Sequence, residues 1–260
     1  MSVGVVVPTL CALGRLDLLR EAISSIRSQS GVDVRLVVVT GDTGSAELAD
    51  LMPDVTVLAQ SGGGIVDAIE CGWAELPPDV EYLAWLGDDD RLVDGALEAA
   101  EGALRARPEV GMVFGRCRYI AYDGSELREI RPGRIAVPLL RMGTNLIAQP
   151  GAIYRRSAVA AIGGLARDLS LAFDVDLHLR IARGLGAVYL PRVLGEVRAH
   201  PGSLTISQRE RSAAELEQVT TRGLGPVALK TRKAWRPLVH LAGRVVYKLS
   251  SRLPAERARR

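Results

Sequence analysis

Val3 to Val7 is a run of valines around Gly4, closed by Pro8. A run without polar alternation reads as a strand buried on both faces, as a parallel sheet requires. Arg15 to Gln29 follows, with Leu19, Ala22, Ile23 and Ile26 at helical spacing and Gly31 beyond its end. The pattern then repeats. Val34 to Val39 reads as a strand, Thr40 to Ser45 as a polar loop, Ala46 to Leu51 as a short helix and Val55 to Ala59 as a third strand. Ile65 to Trp73 is helical, and Tyr82 to Leu86 is a fourth strand stopped by Gly87. Such alternation predicts an α/β chain, doubly wound, with a mostly parallel central sheet between two helical layers. Ligands of these sheets sit beyond the carboxyl ends of the strands. Thr9, Asp42 and Asp88 to Asp90 occupy that edge.

The second half predicts a helix over Ala96 to Ala106, a strand over Gly111 to Gly115 and a turn at Asp123-Gly124. Phe173 to Arg183 carries Leu177 and Ile181, with Leu185 beyond, on one helical face. Val188 to Leu190 and Leu194 to Arg198 read as two short strands before a polar loop, His200 to Ser203. No internal repeat or low-complexity linker divides the chain. The expected organisation is one domain over residues 1–206, with halves 1–100 and 101–206, followed by a basic helical tail over 207–260.

Charge supports that division. The 260 residues are 48% hydrophobic and 24% charged, which excludes disorder and collagen-like repeats, and the net charge is only +3. Residues 1–200 hold 20 Arg and 26 acids, or −6, and residues 201–260 hold 13 Lys and Arg and 4 acids, or +9. Cys11, Cys71 and Cys117 are scattered, without metal-ligand spacing, and fit reduced thiols in a cytosolic protein. The first residues lack a basic segment ahead of an apolar run, and no stretch reaches the ~18 apolar residues of a membrane span.

Three consecutive carboxylates, Asp88, Asp89 and Asp90, follow an apolar strand and a glycine. Like charges this close raise one another's pKa unless a cation sits among them. Asp88 and Asp90, as alternate residues, can converge on one hard divalent ion, whose shell substrate phosphates then complete. The plain alternative is an acidic loop capping the helix that starts near Asp94.

VGVVVPTL, VVVTGDTGSAE, GGGIVDAIECG, YLAWLGDDDRL, QPGAIYRRSAVAAIGGL, FDVDLHLRIA and VLGEVRAHPGSLT, in this order over residues 3–205, resemble the GT-A-fold glycosyltransferases of family 2. GGGIVDAIECG is most similar to bacterial members that build cell-surface polysaccharides. The resemblance implies an inverting, metal-dependent transferase that uses a nucleotide sugar and Mn²⁺ or Mg²⁺. It implies a glycan or lipid-linked acceptor, no nucleic acid partner and a cytoplasmic location, peripheral at the inner face of the cell membrane. By the same resemblance Pro8, Thr9, Asp42, Asp67, Asp88 and Asp89 contact the nucleotide sugar. Asp90, Asp88 and His200 reach the metal or diphosphate, and Asp174 is the general base. Two departures stand out: Ile69 and Glu70 replace the family's frequent Arg and Asn, and Phe173 precedes Asp174 where many members have Glu.

The chemistry is coherent in its own terms. A leaving diphosphate needs a cation, an acceptor hydroxyl needs a carboxylate to take its proton, and one base without a nucleophilic partner gives single displacement with inversion. Asp176, two residues from Asp174 on the same helix, faces elsewhere. His178 and His240 read as structural. A catalytically inactive nucleotide-sugar or glycan-binding protein on the same scaffold is the alternative. A phosphohydrolase would carry its acids where Pro8-Thr9 stand, and a nucleotidyltransferase would need a glycine-rich loop where Cys11 to Arg15 stand. In the tail, Leu238, Leu241, Ala242, Val245 and Leu249 form an apolar face beside a basic one. That pattern leaves open an anionic membrane surface or packing on the domain.

Overall fold

The computed structural model describes residues 2–10, 15–41, 45–60, 62–142, 144–200, 202, 208–222 and 226–252. β1 (Ser2–Pro8) is buried along its whole length and lies between two parallel neighbours, β2 (Asp33–Gly41) and β4 (Tyr82–Trp85). β3 (Thr56–Gln60) extends the sheet beyond β2. The chain thus winds outward from β1 to β3 and returns to the other side of β1 as β4. The point where the winding reverses, between the carboxyl ends of β1 and β4, is where such sheets bind ligands.

β8 (Ala152–Arg155) lies antiparallel between β4 and β6 (Met112–Ile120), so β6 runs in the sense of β1. β9 (Ala187–Arg198) is parallel to β6, and its far end receives the two-residue β5 (Arg91–Leu92). β7 (Glu126–Ile130) turns back on β6 and carries β10 (Ser251–Arg252) on its outer edge. The sheet is mixed, with its longest pairings parallel.

Alternation along β1 builds both cores. Val3, Val5 and Val7 face α1 (Leu16–Arg27) and α4 (Ala96–Arg105), whose Leu19, Ile23, Leu97 and Leu104 are buried against them. α2 (Ser45–Leu51) adds Leu48 to this side. Val6 faces the opposite layer, with Ile69 and Trp73 of α3 (Ile65–Glu75) and Leu177 and Ile181 of α7 (Phe173–Gly184). Each such aliphatic side chain contributes roughly 1.5–3 kcal/mol when fully buried. α5 (Ala136–Arg141) and α6 (Arg156–Ala161) complete that layer through Leu139, Leu140 and Val159. A β-carbon on Gly72 would stand 2.6 Å from Val6 Cγ1, so a glycine there lets α3 approach β1 closely.

The structure departs from the sequence reading on this side of the chain. Val188 to Leu190 and Leu194 to Arg198 form one continuous strand, β9, with register shifts opposite Arg116. β6 runs past Gly115 to Ile120, and β7 and α5 were not expected. Cross-strand ion pairs explain the longer strands: Arg118 meets Glu196 at 3.2 Å and Arg116 meets Glu129 at 3.5 Å. Charges that look like loop residues in sequence are paired between neighbouring strands.

α8 (Arg209–Arg222) packs on α7, burying Glu215 and Val219. α9 (Pro226–Ser250) is basic and has Pro237 in its interior. Among the described residues no helix is long and apolar enough to cross a membrane.

Candidate active site

Thr9 leaves β1 with its N–H still bonded to Val39 O at 2.9 Å, and its hydroxyl donates to Asp88 Oδ2 at 2.7 Å. That bond spans the reversal point of the sheet. Arg15, just ahead of α1, places one guanidinium nitrogen 2.8 Å from both Asp88 Oδ1 and Asp89 Oδ2. Gly202 N–H donates to His200 Nδ1 at 3.2 Å, which makes that nitrogen the acceptor and leaves Nε2–H to donate to Asp89 Oδ2 at 2.6 Å. Asp90 turns the other way: its Oδ1 accepts the backbone N–H of Arg198 at 2.9 Å. The side chains of Asp88 and Asp90 thus have different partners. Arg15 joins Asp88 to Asp89.

Arg198 was not anticipated as a site residue. Its side chain is 1% exposed, yet each guanidinium nitrogen has an acceptor: Asp89 O at 2.9 Å, the carbonyls of Ala121 and Tyr122, and Glu21 Oε2 at 2.5 Å. A buried cation so supplied is tolerated, because its lost hydration is replaced. It ties the acidic loop to the β6–β7 turn and to α1. No local sequence pattern announces this, since its partners come from segments 76 to 177 residues away.

Electrostatics follows burial. Desolvation raises Asp88 despite the Thr9 and Arg15 contacts, and desolvation together with the Asp89 charge pushes Asp90 up to about 8. Such a cluster gains from added positive charge. Asp89 Oδ1 and Asp90 Oδ2 each lie 3.0 Å from where a β-carbon on Gly87 would be, so two carboxylate oxygens flank one spot without a side chain. Hard oxygen donors of this kind suit Mg²⁺ or Mn²⁺. Among the described residues no three His, Cys, Asp or Glu side chains already surround a common point as metal ligands. The positive charge beside Asp88 and Asp89 is Arg15.

Asp174 opens α7 and is half-buried. Burial pushes its carboxyl up to about 6 against the lowering effect of the Val175 N–H and its own. Phe173 beside it packs on Trp85, ring centroids 5.8 Å apart, and Trp85 stacks on Tyr154 at 5.4 Å. Trp85 ends β4, and Asp88 stands three residues on. Its carbonyl accepts Gln149 Nε2–H at 2.7 Å. The aromatic stack thus seats the start of α7 beside the strand that leads into the acidic triplet. Tyr154 also bonds His178 Nε2 at 2.7 Å, and burial drives His178 down to about 3, so this histidine is neutral and part of the core.

The remaining candidates are placed as follows. Pro8 is buried at the end of β1. Asp67 Oδ2 accepts the Gly64 N–H at 3.4 Å at the start of α3 and Oδ1 pairs with Arg167 at 2.9 Å, at the carboxyl edge near β3. Asp42 lies outside the described residues, as does Cys11. Asp176 is buried and paired with Arg180 at 2.7 Å, away from the role given to Asp174. At the positions of the two departures, Ile69 is core, and Glu70 accepts Leu165 N–H at 2.6 Å, holding the turn after α6. A further unanticipated residue is Glu215 of α8. Its Oε2 accepts the N–H groups of Ser170, Leu171 and Ala172 at 2.9, 2.7 and 3.1 Å, fixing the segment that leads into α7.

A doubly wound sheet carrying an acidic triplet at the end of its fourth strand, faced by a carboxylate-bearing helix, has the architecture of GT-A glycosyltransferases. The sequence model of glycosyl transferase family 2 matches residues 5–163, and the chain belongs to that family. Among solved structures it is similar to a mannosyltransferase of Pyrobaculum calidifontis, PcManGT, in complex with GDP-Man and Mn²⁺. The TM-score is 0.62 at 20% identity, covering 95% of this chain and 72% of that one. It is also similar to S. aureus TarS 1-349 in complex with UDP-GlcNAc, with a TM-score of 0.60 at 14% identity, covering 92% and 76%. No curated protein matches the sequence.

Proposed function

We propose that the chain is an inverting glycosyltransferase that moves a sugar from a nucleoside-diphosphate sugar to a hydroxyl of a glycan or lipid-linked acceptor, in cell-surface polysaccharide synthesis. The observation that carries this is Asp174: a half-buried carboxylate with a pKa raised to about 6, seated by Phe173 on the strand that leads to Asp88. A base in that range is deprotonated at neutral pH yet basic enough to take a hydroxyl proton as it attacks. Pro8, Thr9, Asp42, Asp67, Asp88 and Asp89 form the donor side. Asp88 and Asp90, with His200, would hold Mn²⁺ or Mg²⁺, which supplies Lewis-acid stabilisation of the leaving diphosphate. The ions and sugars named with the similar structures, GDP-Man with Mn²⁺ and UDP-GlcNAc, support this assignment by analogy of fold. In the same reading the protein works in the cytoplasm, peripheral at the inner face of the cell membrane.

Thermal-shift titration with UDP, GDP and dTDP sugars, with and without Mn²⁺, tests the reading. Stabilisation by one nucleotide sugar, increased by metal, is expected; its absence across the panel would sink it. One observation favours the second reading, a binding protein without transfer. Arg15 bridges Asp88 and Asp89 and offsets one of their two charges, so part of a cation's role is already filled without a metal. Metal-independent stabilisation without turnover would select that reading.

A further inference from the structure

α9 is held to the domain by one side. A β-carbon on Gly243 would meet Thr144 Cγ2 at 2.6 Å, so the helix backbone lies directly on that threonine. Tyr247, four residues on, packs against the core, with the Arg128 guanidinium 5.3 Å from its ring centroid. Away from this contact Leu238, Leu241 and Val245 are 67%, 60% and 50% exposed. Spacings of three and four put them on one stripe. Arg244 and Lys248 are exposed in the same stretch of helix.

α9 and the neighbouring α5 carry one sign of charge. From Pro226 to Ser250 the sequence has Lys230, Arg232, Lys233, Arg236, Arg244 and Lys248 and no acid. α5, which leads into Thr144, exposes Arg134, Ile135, Pro138, Arg141 and Met142, and no acid occurs between residues 131 and 167. Apolar side chains set among cations, without interleaved acids, match a surface that is anionic outside and apolar beneath. A second copy of the chain fits poorly, because a two-fold interface would bring this basic face against itself.

We propose that this face of α9, with the neighbouring end of α5, docks on an anionic lipid surface. Leu238, Leu241 and Val245 enter the headgroup boundary while Arg141, Arg244 and Lys248 meet lipid phosphates. The proposal rests on the peripheral placement given above and deepens it, and its test needs neither donor nor acceptor. The full chain is co-sedimented with vesicles of phosphatidylcholine alone and with about a third phosphatidylglycerol. Binding only to the anionic vesicles, weakened by high salt, is expected. Leu241→Glu combined with Val245→Glu should lower it at least about tenfold. Arg244→Ser with Lys248→Ser should lower it about fivefold per charge. Because these side chains are exposed, both variants should melt like the parent and keep nucleotide-sugar stabilisation. Equal binding to neutral vesicles, no binding, or undiminished binding by both variants would overturn the proposal. So would a parent dimer that the Leu241→Glu, Val245→Glu variant dissociates in light scattering. If nucleotide-sugar stabilisation is absent while vesicle binding behaves as expected, only the transferase reading fails.

Discussion

The Thr9 hydroxyl donates to Asp88 at 2.7 Å and so links the carboxyl ends of β1 and β4 at the one place where the winding of the sheet reverses. Thr9→Val removes that donor and leaves a buried carboxylate with Arg15 as its remaining partner among these contacts. The loss should be about 1.5–3 kcal/mol in chemical denaturation. Thr9→Ser should recover most of it, and nucleotide-sugar affinity should follow the same order by calorimetry.

Asp174→Asn should keep nucleotide-sugar binding and lower turnover by roughly 10²- to 10⁴-fold, the range of general-base catalysis. In the parent, kcat/KM should rise with pH through about 6 and then level off. The stability effect has a definite sign. A carboxyl whose folded pKa lies above its unfolded one adds stability below the unfolded value, and that stability is lost as pH rises through about 6. At pH 7 the asparagine variant should thus melt higher than the parent, by an amount of order 2 kcal/mol. Unchanged turnover would remove Asp174 from the role.

His178 gives the opposite slope. Its folded pKa of about 3 lies below the ordinary histidine value, so stability falls as pH drops below about 6.5, when the unfolded chain gains a proton the folded chain refuses. By pH 5 this amounts to about 2 kcal/mol. The difference in unfolding free energy between parent and His178→Gln should shift by that amount between pH 7 and pH 5, a comparison in which the Asp174 contribution cancels.

Glu215 holds α7 from outside. Burial alone would raise its carboxyl, but the three backbone N–H groups and Arg211 outweigh that and keep it below the ordinary glutamate value. Glu215→Ala leaves three backbone N–H groups without this acceptor and should cost about 2 kcal/mol. It should also loosen the seating of Asp174. A fall in kcat larger than any rise in KM is expected, and Glu215→Gln should retain part of these bonds.

Gly87→Ala tests the acidic loop without touching a charge. Its methyl would stand 3.0 Å from oxygens of both Asp89 and Asp90, which must move. Metal-dependent stabilisation by nucleotide sugar should weaken at least about tenfold, while the melting temperature without ligand changes little. An unaltered metal dependence would count against Asp90 as part of the cation site.

The sheet-forming half of the fold was legible because β1 to β4 are apolar runs separated by periodic helices. Burial on both faces leaves no choice but hydrophobic residues there. The acidic triplet stood out by its place after an apolar strand, whereas Asp174 was singled out only through the family resemblance. β7 and the outer part of β6 were not legible, because their charges are paired between strands, Arg116 with Glu129 of β7 and Arg118 with Glu196 of β9. Arg15, Arg198 and Glu215 escaped for the same reason. Each is defined by partners that the fold, and not the local sequence, brings near. Asp88 and Asp90 do not alternate as in a strand, because the triplet forms a turn in which Asp90 N–H bonds Gly87 O at 3.2 Å.

Arg198 deserves a last consequence. One side chain fastens the Asp89 backbone, the carbonyls of Ala121 and Tyr122, and Glu21 of α1. With the end of β9 that carries Arg198, these three segments form a single joint, so they cannot be redesigned one at a time. An engineer who remodels the β6–β7 turn to change what the protein accepts would also disturb the acidic loop. The segment between α6 and α7 is tied instead to Glu70, Arg180 and Glu215, apart from this joint.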